Sequence, residues 1–266
     1  MIKRKGARAA KDIPEEILSQ LNEGCIESVN LTEWLAIDQQ ILLENLLVQH
    51  ERTYYFPSVI QKINALKKHT VNTINETIGT ELLYLTTQNN DQAFFRLLSQ
   101  HPADMVRCWA AYMIGKDDKR NIKDTLHQIQ YFAADKHFGV REICWMAVRP
   151  KIIAHLETSI NLLSEWAFHS DENIRRFSTE SIRPRGVWCT HIDALKQTPE
   201  LALAILETLK SDPSKYVQDS VGNWLNDAGK TRPDFVISLC NRWEKESPSK
   251  ATQYIIKKAM RTIRKV

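Results

Sequence analysis

The chain has 266 residues, 43% of them apolar and 26% charged, with a formal net charge of +4 at pH 7. That is long enough for one elongated domain or two compact ones. No window approaches the ~18 consecutive apolar residues of a membrane span. The basic opening "MIKRKGARAAKDIPEE" lacks the apolar stretch of a secretory signal.

Five scattered cysteines form no CxxC pair, which suits a reducing, cytoplasmic setting and offers no zinc site. The eight histidines show no ligand-like spacing, so neither metal nor cofactor is expected. Lys3, Arg4, Lys5, Arg8 and Lys11 make the first eleven positions basic without an acid. Lys250, Lys257, Lys258, Arg261, Arg264 and Lys265 do the same at the other end. Basic ends suit a nucleic-acid partner, and equally two solvated helix faces.

Taken in order, "VNLTEWLAIDQQILLENLL" places Leu31, Trp34, Leu35, Ile41, Leu42 and Leu46 close to one helical stripe, with Ile37 beside it. Asn30 and Glu33 have the spacing of a capping box. "PSVIQKINALKKHT" restarts a helix after Pro57, and "ELLYLTTQ" and "AFFRLLSQ" follow on either side of the breaker "NNDQ". No alternating strand pattern occurs, so the class is all-α.

The second half repeats. "DMVRCWAAYMIG", "FGVREICWMAVRP", "ENIRRFSTESIRP" and "KYVQDSVGNWLNDAG" share a frame anchored at Val106, Val140, Ile174 and Val217, spaced by 34, 34 and 43 residues. Asp104, Asp135, Asp171 and Asp212 precede the anchors and suit helix capping. Two helices per 34–43 residues is the mark of a HEAT-like helical-repeat solenoid. We expect residues 1–266 to form a single such domain, with an N-terminal helical segment over 1–50 and clear repeats from about 90 to 266.

Equivalent positions in a solenoid form rows. Lys116, Arg149 and Arg183 fall on adjacent rows, a basic strip ending near Asp227 and lining a concave basic groove. Arg176, Glu180 and Arg183 share one helix face, opposite a core side of Ile174, Phe177, Ser178 and Ile182. Such a groove suits duplex phosphates, and also an acidic peptide on a protein scaffold. An exposed ion pair at this spacing contributes only ~0–1 kcal/mol. Trp109 and Trp224 read as packing residues.

"NIRRFSTESIRPRGVW", "DPSKYVQDSVGNWLND" and "QYIIKKAMRTIRKV" resemble the AlkC/AlkD superfamily of bacterial DNA glycosylases, most closely its AlkC branch. The opening "KGARAAKDIPEEILSQLNEG" and "VNLTEWLAID" is similar as well, so the resemblance covers nearly the whole chain. It implies the HEAT-like fold, and hydrolysis of the N-glycosidic bond of cationic alkylated bases such as 3-methyladenine in duplex DNA, without base flipping. It implies Glu180, Asp227 and Trp188 as catalytic positions, and a metal-free monomer.

Arg149, Arg176, Arg183, Arg185 and Lys116 are then candidate DNA contacts, each able instead to pair with a neighbouring acid. The sequence departs from the AlkC pattern at Trp145 in "REICWMAVRP", where that branch has an acid; Glu142 lies one turn earlier. After "RPR" it reads "GVW" where the family commonly has "LPW". A non-catalytic DNA-binding paralogue, or a helical-repeat scaffold, is the alternative.

Overall fold

The computed structural model describes residues 4–263, and among these all regular structure is helical. Lys3, Arg264 and Lys265 of the basic ends lie outside the described residues. The chain divides into two compact units, Met1–Lys119 with Asp135–Ala147, and Arg120–Ala134 with Val148–Val266.

The first unit contains α1 (Glu15–Asn22), α2 (Leu31–Ala36), α3 (Gln39–Gln49), α4 (Phe56–Asn64), α5 (Val71–Gln88), α6 (Gln92–Gln100) and α7 (Asp104–Gly115). Helix α8 (Ile122–Ala133) belongs to the second unit, and α9 (Phe138–Ala154) supplies residues to both.

The expected single stripe over residues 31–46 is broken. Ile37 is extended (φ −63°, ψ 125°), and the Asp38 carboxylate caps a new helix by accepting from Gln40 N at 2.9 Å and Ile41 N at 3.1 Å. The restart leaves Leu31, Leu35 and Ile41 exposed while Trp34, Leu42 and Leu46 are buried. Asn30 caps α2 through Glu33 N at 3.0 Å, but Glu33 accepts from Val29 N and from Arg4 rather than from Asn30 N.

Three of the four acids preceding the anchors act on the turn that starts their helix. Asp135, Asp171 and Asp212 accept from His137 N, Asn173 N and Ser214 N respectively. Asp104 differs. It is fully buried as the first residue of α7, and its carboxylate accepts from Ser28 N and Ser28 Oγ, both at 2.9 Å. Burial raises its pKa, against the lowering influence of His137 and the Ser28 bonds. The bonds fasten the α1–α2 connection to α7.

The residue after each anchor reaches back to the turn before its own helix, where carbonyls lack helical partners. Arg107 Nη1 donates to His101 O and Pro102 O, Arg141 Nη1 to Asp135 O and Lys136 O, and Arg175 Nη1 to His169 O and Ser170 O. Arg107 and Arg175 also clamp the acid of the following repeat. Arg107 holds Asp135 (2.8 and 3.0 Å), and Arg175 holds Asp212 (2.6 and 3.1 Å). Gln218, which follows the last anchor, donates to Asp212 O at 2.8 Å. One side chain therefore ties its own turn to the next repeat.

The second unit continues with α10 (Leu156–Trp166), α11 (Glu172–Glu180), α12 (Asp193–Gln197), α13 (Leu203–Leu209), α14 (Lys215–Ala228), α15 (Pro233–Glu246) and α16 (Lys250–Ala259). Helix α11 packs on α14, and α14 on α16. Ile174, Phe177, Val217, Val221, Trp224 and Leu225 are buried there. Each large apolar side chain contributes about 1.5–3 kcal/mol by leaving water. Trp109 and Trp224 are both fully buried, with Nε1 donating to Gln39 Oε1 and Ile182 O.

Close approach sets one row residue. Gly115 lies where the later repeats carry Arg149, Arg183 and Asn226, and a Cβ there would collide with the Ala147 carbonyl.

The Arg107–Asp135 clamp is nearly excluded from solvent (side chains 6% and 7% exposed), so breaking it strands a charge. Arg107→Met should destabilise the chain by about 3–5 kcal/mol, read as a lower urea midpoint. Adding Asp135→Asn should recover part of the loss. A loss below about 1 kcal/mol would place the clamp with ordinary surface pairs.

A candidate nucleic-acid site on two buried carboxylates

Glu180 ends α11, and Asp227 lies in the last turn of α14. The helix stops short of the expected face. A turn at 181–182 separates Arg183 from the helix, Pro184 comes next, and the residue before a proline is biased to extended backbone. In α9 the equivalent Pro150 sits inside the helix.

Arg183 joins the two carboxylates. Its Nη1 donates to Glu180 Oε1 at 2.9 Å, while Nη2 and Nε both reach Asp227 Oδ2, at 2.6 and 3.0 Å. The row geometry thus brings the arginine of one repeat onto the acid of the next. Glu180 Oε2 accepts from Ser220 Oγ at 2.6 Å, and Thr179 Oγ1 donates to Ser220 Oγ at 2.8 Å. Arg176 approaches Oε2 at 3.6 Å and lies over the Tyr216 ring, 4.3 Å from its centroid. Asp227 Oδ1 accepts from Lys230 Nζ at 3.0 Å.

Glu180 and Asp227 are 4% and 3% exposed, and Arg183 is 9% exposed. Burial pushes the Glu180 pKa up, but Arg176, Arg183 and the Ser220 bond outweigh it and hold the group below its ordinary range. Burial likewise opposes the Arg183 cation, and the two carboxylates more than restore it. Glu180 is thus an ionised, nearly dry carboxylate of fixed orientation. Arg176, Arg183 and Lys230 set three cations against two anions, leaving the cluster with one excess positive charge.

Arg149 was expected at phosphates and is placed elsewhere. It is 1% exposed, and its guanidinium donates to Ser181 O (2.7 Å), Arg183 O (2.6 Å) and Thr190 O (3.0 Å). Burial lowers its pKa. It braces from beneath the loop that carries "RPRGVW". Ile192 N closes that loop on Pro184 O at 3.0 Å. Gly186 sits against the Arg149 guanidinium and Cys189 Sγ, so a side chain there would collide with both.

Trp188 stands on this braced loop, 78% exposed, with φ +57°. Left-handed backbone at a non-glycine residue costs about 1–3 kcal/mol and clusters at functional sites. Trp188 has no ring or hydrogen-bond partner among the described residues, and no bond ties it to either carboxylate. Arg185 is half-buried, with an Nε that has no hydrogen-bond partner among the described residues. Lys116 belongs to the first unit and pairs with Glu76.

Trp145 is buried (2% exposed), its indole N–H donating to Glu142 Oε2 at 2.9 Å. Both belong to the first unit. The partners Ser220, Thr179, Tyr216 and Lys230 were not singled out in the sequence. Only Lys230, three residues beyond Asp227, had a spacing that signals a pair. No group of three or more His, Cys, Asp or Glu able to hold a metal occurs among the described residues, and no helix is long and apolar enough to cross a membrane.

Across 98% of this chain and 66% of the other, the fold is similar to alkylpurine DNA glycosylase AlkC of Pseudomonas fluorescens, solved bound to DNA containing an abasic site analog (TM-score 0.68, 20% identity). The chain thus spans slightly less than two thirds of that protein. AlkD2 of Streptococcus mutans is similar over 77% of this chain and 97% of its own (TM-score 0.57, 24% identity). Both likenesses establish an all-α, helical-repeat fold.

A segment of 119 residues, 45% of this chain, is 42% identical to the uncharacterized protein YhaZ of Bacillus subtilis (strain 168), and covers a third (33%) of that relative's length. The model of the family described as DNA alkylation repair enzyme matches residues 71–263, which include every candidate site residue above, and the chain belongs to that family.

Proposed function

We propose that the chain is a DNA glycosylase that hydrolyses the N-glycosidic bond of cationic alkylated bases, such as 3-methyladenine, in duplex DNA without flipping the base. The observation that carries this reading is the pair of buried carboxylates joined through Arg183, with a braced and exposed Trp188 on the loop that follows Glu180.

An alkylated purine that carries a positive charge already leaves readily. As the C1′–N bond breaks, its electron pair passes to the base and cancels that charge, while positive charge develops on the deoxyribose. Carboxylates of fixed orientation at the reacting sugar stabilise the developing cation without reorganising, the electrostatic effect that usually dominates catalysis. Water then adds at C1′, its proton passing to a carboxylate or to solvent, by analogy with glycosidase carboxylates. The residues that do this work are Glu180 and Asp227.

Trp188 supplies an aromatic face to the lesion's nucleotide, where base stacking or attraction to a cation operates. Arg176 and Arg185 of the second unit approach phosphates, and Lys116 is a phosphate contact of the first unit. Arg183 holds the carboxylates, and Arg149 holds the loop.

Purified protein should release methylated bases from methylated duplex DNA. Glu180→Gln and Asp227→Asn should each slow that release by about 10²-fold or more. No release by the wild type, or equal release by both variants, overturns the assignment.

Because Glu180 is held below its ordinary value of 4.5, it remains ionised throughout the range above that value and protonates only as pH falls through its lower folded value. Single-turnover release should therefore show no Glu180-dependent acidic limb between pH 7 and about pH 5. An inflection in that range that Glu180→Gln removes would contradict it.

Trp188→Ala removes a ring that is 78% exposed, so melting temperature should hold. Affinity for lesion-containing duplex should weaken by about 1–3 kcal/mol, read by fluorescence anisotropy. Unchanged affinity would remove Trp188 from the site.

A further inference from the structure

All four carboxylate oxygens of the site have a donor, but the donors differ in how firmly they are held. Arg183 takes Glu180 Oε1 and Asp227 Oδ2 with all three of its donor nitrogens, from a side chain only 11% exposed. Ser220 takes Glu180 Oε2 and is itself held by Thr179. Asp227 Oδ1 is different. Its donor is Lys230 Nζ, at 3.0 Å on a side chain 41% exposed, beyond the Gly229 cap of α14. Among the described residues that ammonium has no other hydrogen-bond or carboxylate partner. It is the one counter-ion in the cluster that can swing into solvent without breaking a second bond.

We infer that Lys230 is a displaceable counter-ion that keeps Asp227 Oδ1 paired until a cationic nucleoside takes its place. The identity of that ligand rests on the glycosylase reading, whereas the exchange itself rests on the ion-pair geometry. Swapping one cation for another never leaves the nearly buried Asp227 bare, and a stranded buried charge is what makes such a site costly. The ammonium goes to water, where a lysine is well hydrated. A neutral nucleoside has no charge with which to draw Asp227 away from Lys230, so the ammonium stays and the carboxylate contributes nothing to holding it.

The test compares binding of two duplexes to the full chain by competition anisotropy. One carries a pyrrolidine abasic analogue, protonated at the ring nitrogen where the sugar cation develops; the other carries its neutral tetrahydrofuran counterpart. The ratio of the two affinities cancels the general loss of DNA affinity that follows from removing a lysine.

Lys230→Met should raise the preference for the cationic duplex by about fivefold, because the cation no longer has a competitor; that is the worth of a half-exposed ion pair. Lys230→Arg should keep the ratio near that of the wild type, and Asp227→Asn should bring it towards one. Lys230→Gln, checked by its thermal melt, serves if the methionine variant folds poorly. A ratio that stays the same or falls in both neutral variants overturns the inference. A wild type that releases no base but shows the Lys230-dependent ratio would overturn the glycosylase reading and leave the exchange standing. Base release with an unmoved ratio would do the reverse.

Discussion

The second unit turns on one ion-pair bridge, Arg183 between Glu180 and Asp227. Two nearly dry carboxylates that share one guanidinium repel each other and resist burial. One guanidinium with donors on three nitrogens resolves both problems at once. It also spans two repeats, because Arg183 follows α11 and Asp227 ends α14. The bridge forms only if the repeats stack in register. Register in turn depends on the arginine clamp seen at Arg175–Asp212, which fixes the same pair of helices at their other ends. Helix α11 is thus pinned to α14 by a surface-side clamp near its start and a buried bridge just past its end.

The bridge has a consequence for the loop beyond it. Arg183 has its side chain committed to the acids and its carbonyl to Arg149. The start of the "PRGVW" loop is therefore fixed from both directions, and Arg149 reaches across to Thr190 O to fix the far end. A largely exposed tryptophan held in left-handed backbone is costly to the fold. The brace sustains that conformation, and a ring already in place loses less freedom when a ligand meets it. This loss of freedom is what separates an exposed aromatic on a braced loop from one on a mobile tip.

Much of the fold was legible in the sequence because helical repeats write their frame as spacing. Val106, Val140, Ile174 and Val217 are buried as anchors should be, and Asp171 caps its helix as its position implied. The row arithmetic foresaw that Arg183 and Asp227 would neighbour each other. What spacing could not convey is where a long side chain spends its donors. Arg149 and Arg183 occupy the same row, yet one braces carbonyls and the other bridges carboxylates: the row position that Asp227 fills beside Arg183 is Pro184 in the repeat beside Arg149. Asp104 has a capping acid's position but not its role, since Ser28, 76 residues away, supplies two donors. The helix break at Ile37 was concealed because the apolar stripe runs on across it. The capping competence of Asp38 was the local signal against it.

The same long-range logic bears on Trp145, which stands where the AlkC pattern resembled by this sequence has an acid. An indole at that position is 2% exposed and ties down Glu142 through its N–H, so the nearest acid on its helix is engaged as a partner to tryptophan. On the proposed glycosylase reading the chemistry rests on Glu180 and Asp227, and that reading asks for a leaving base that brings its own charge. A neutral base needs a proton donor to leave, which an ionised Glu180 does not provide. A cationic base needs only stabilisation of the sugar it abandons. The cluster's single excess positive charge fits that division of labour. On that reading it favours phosphates, and it leaves the attraction for a cation local to Asp227 Oδ1, whose donor is the half-exposed Lys230.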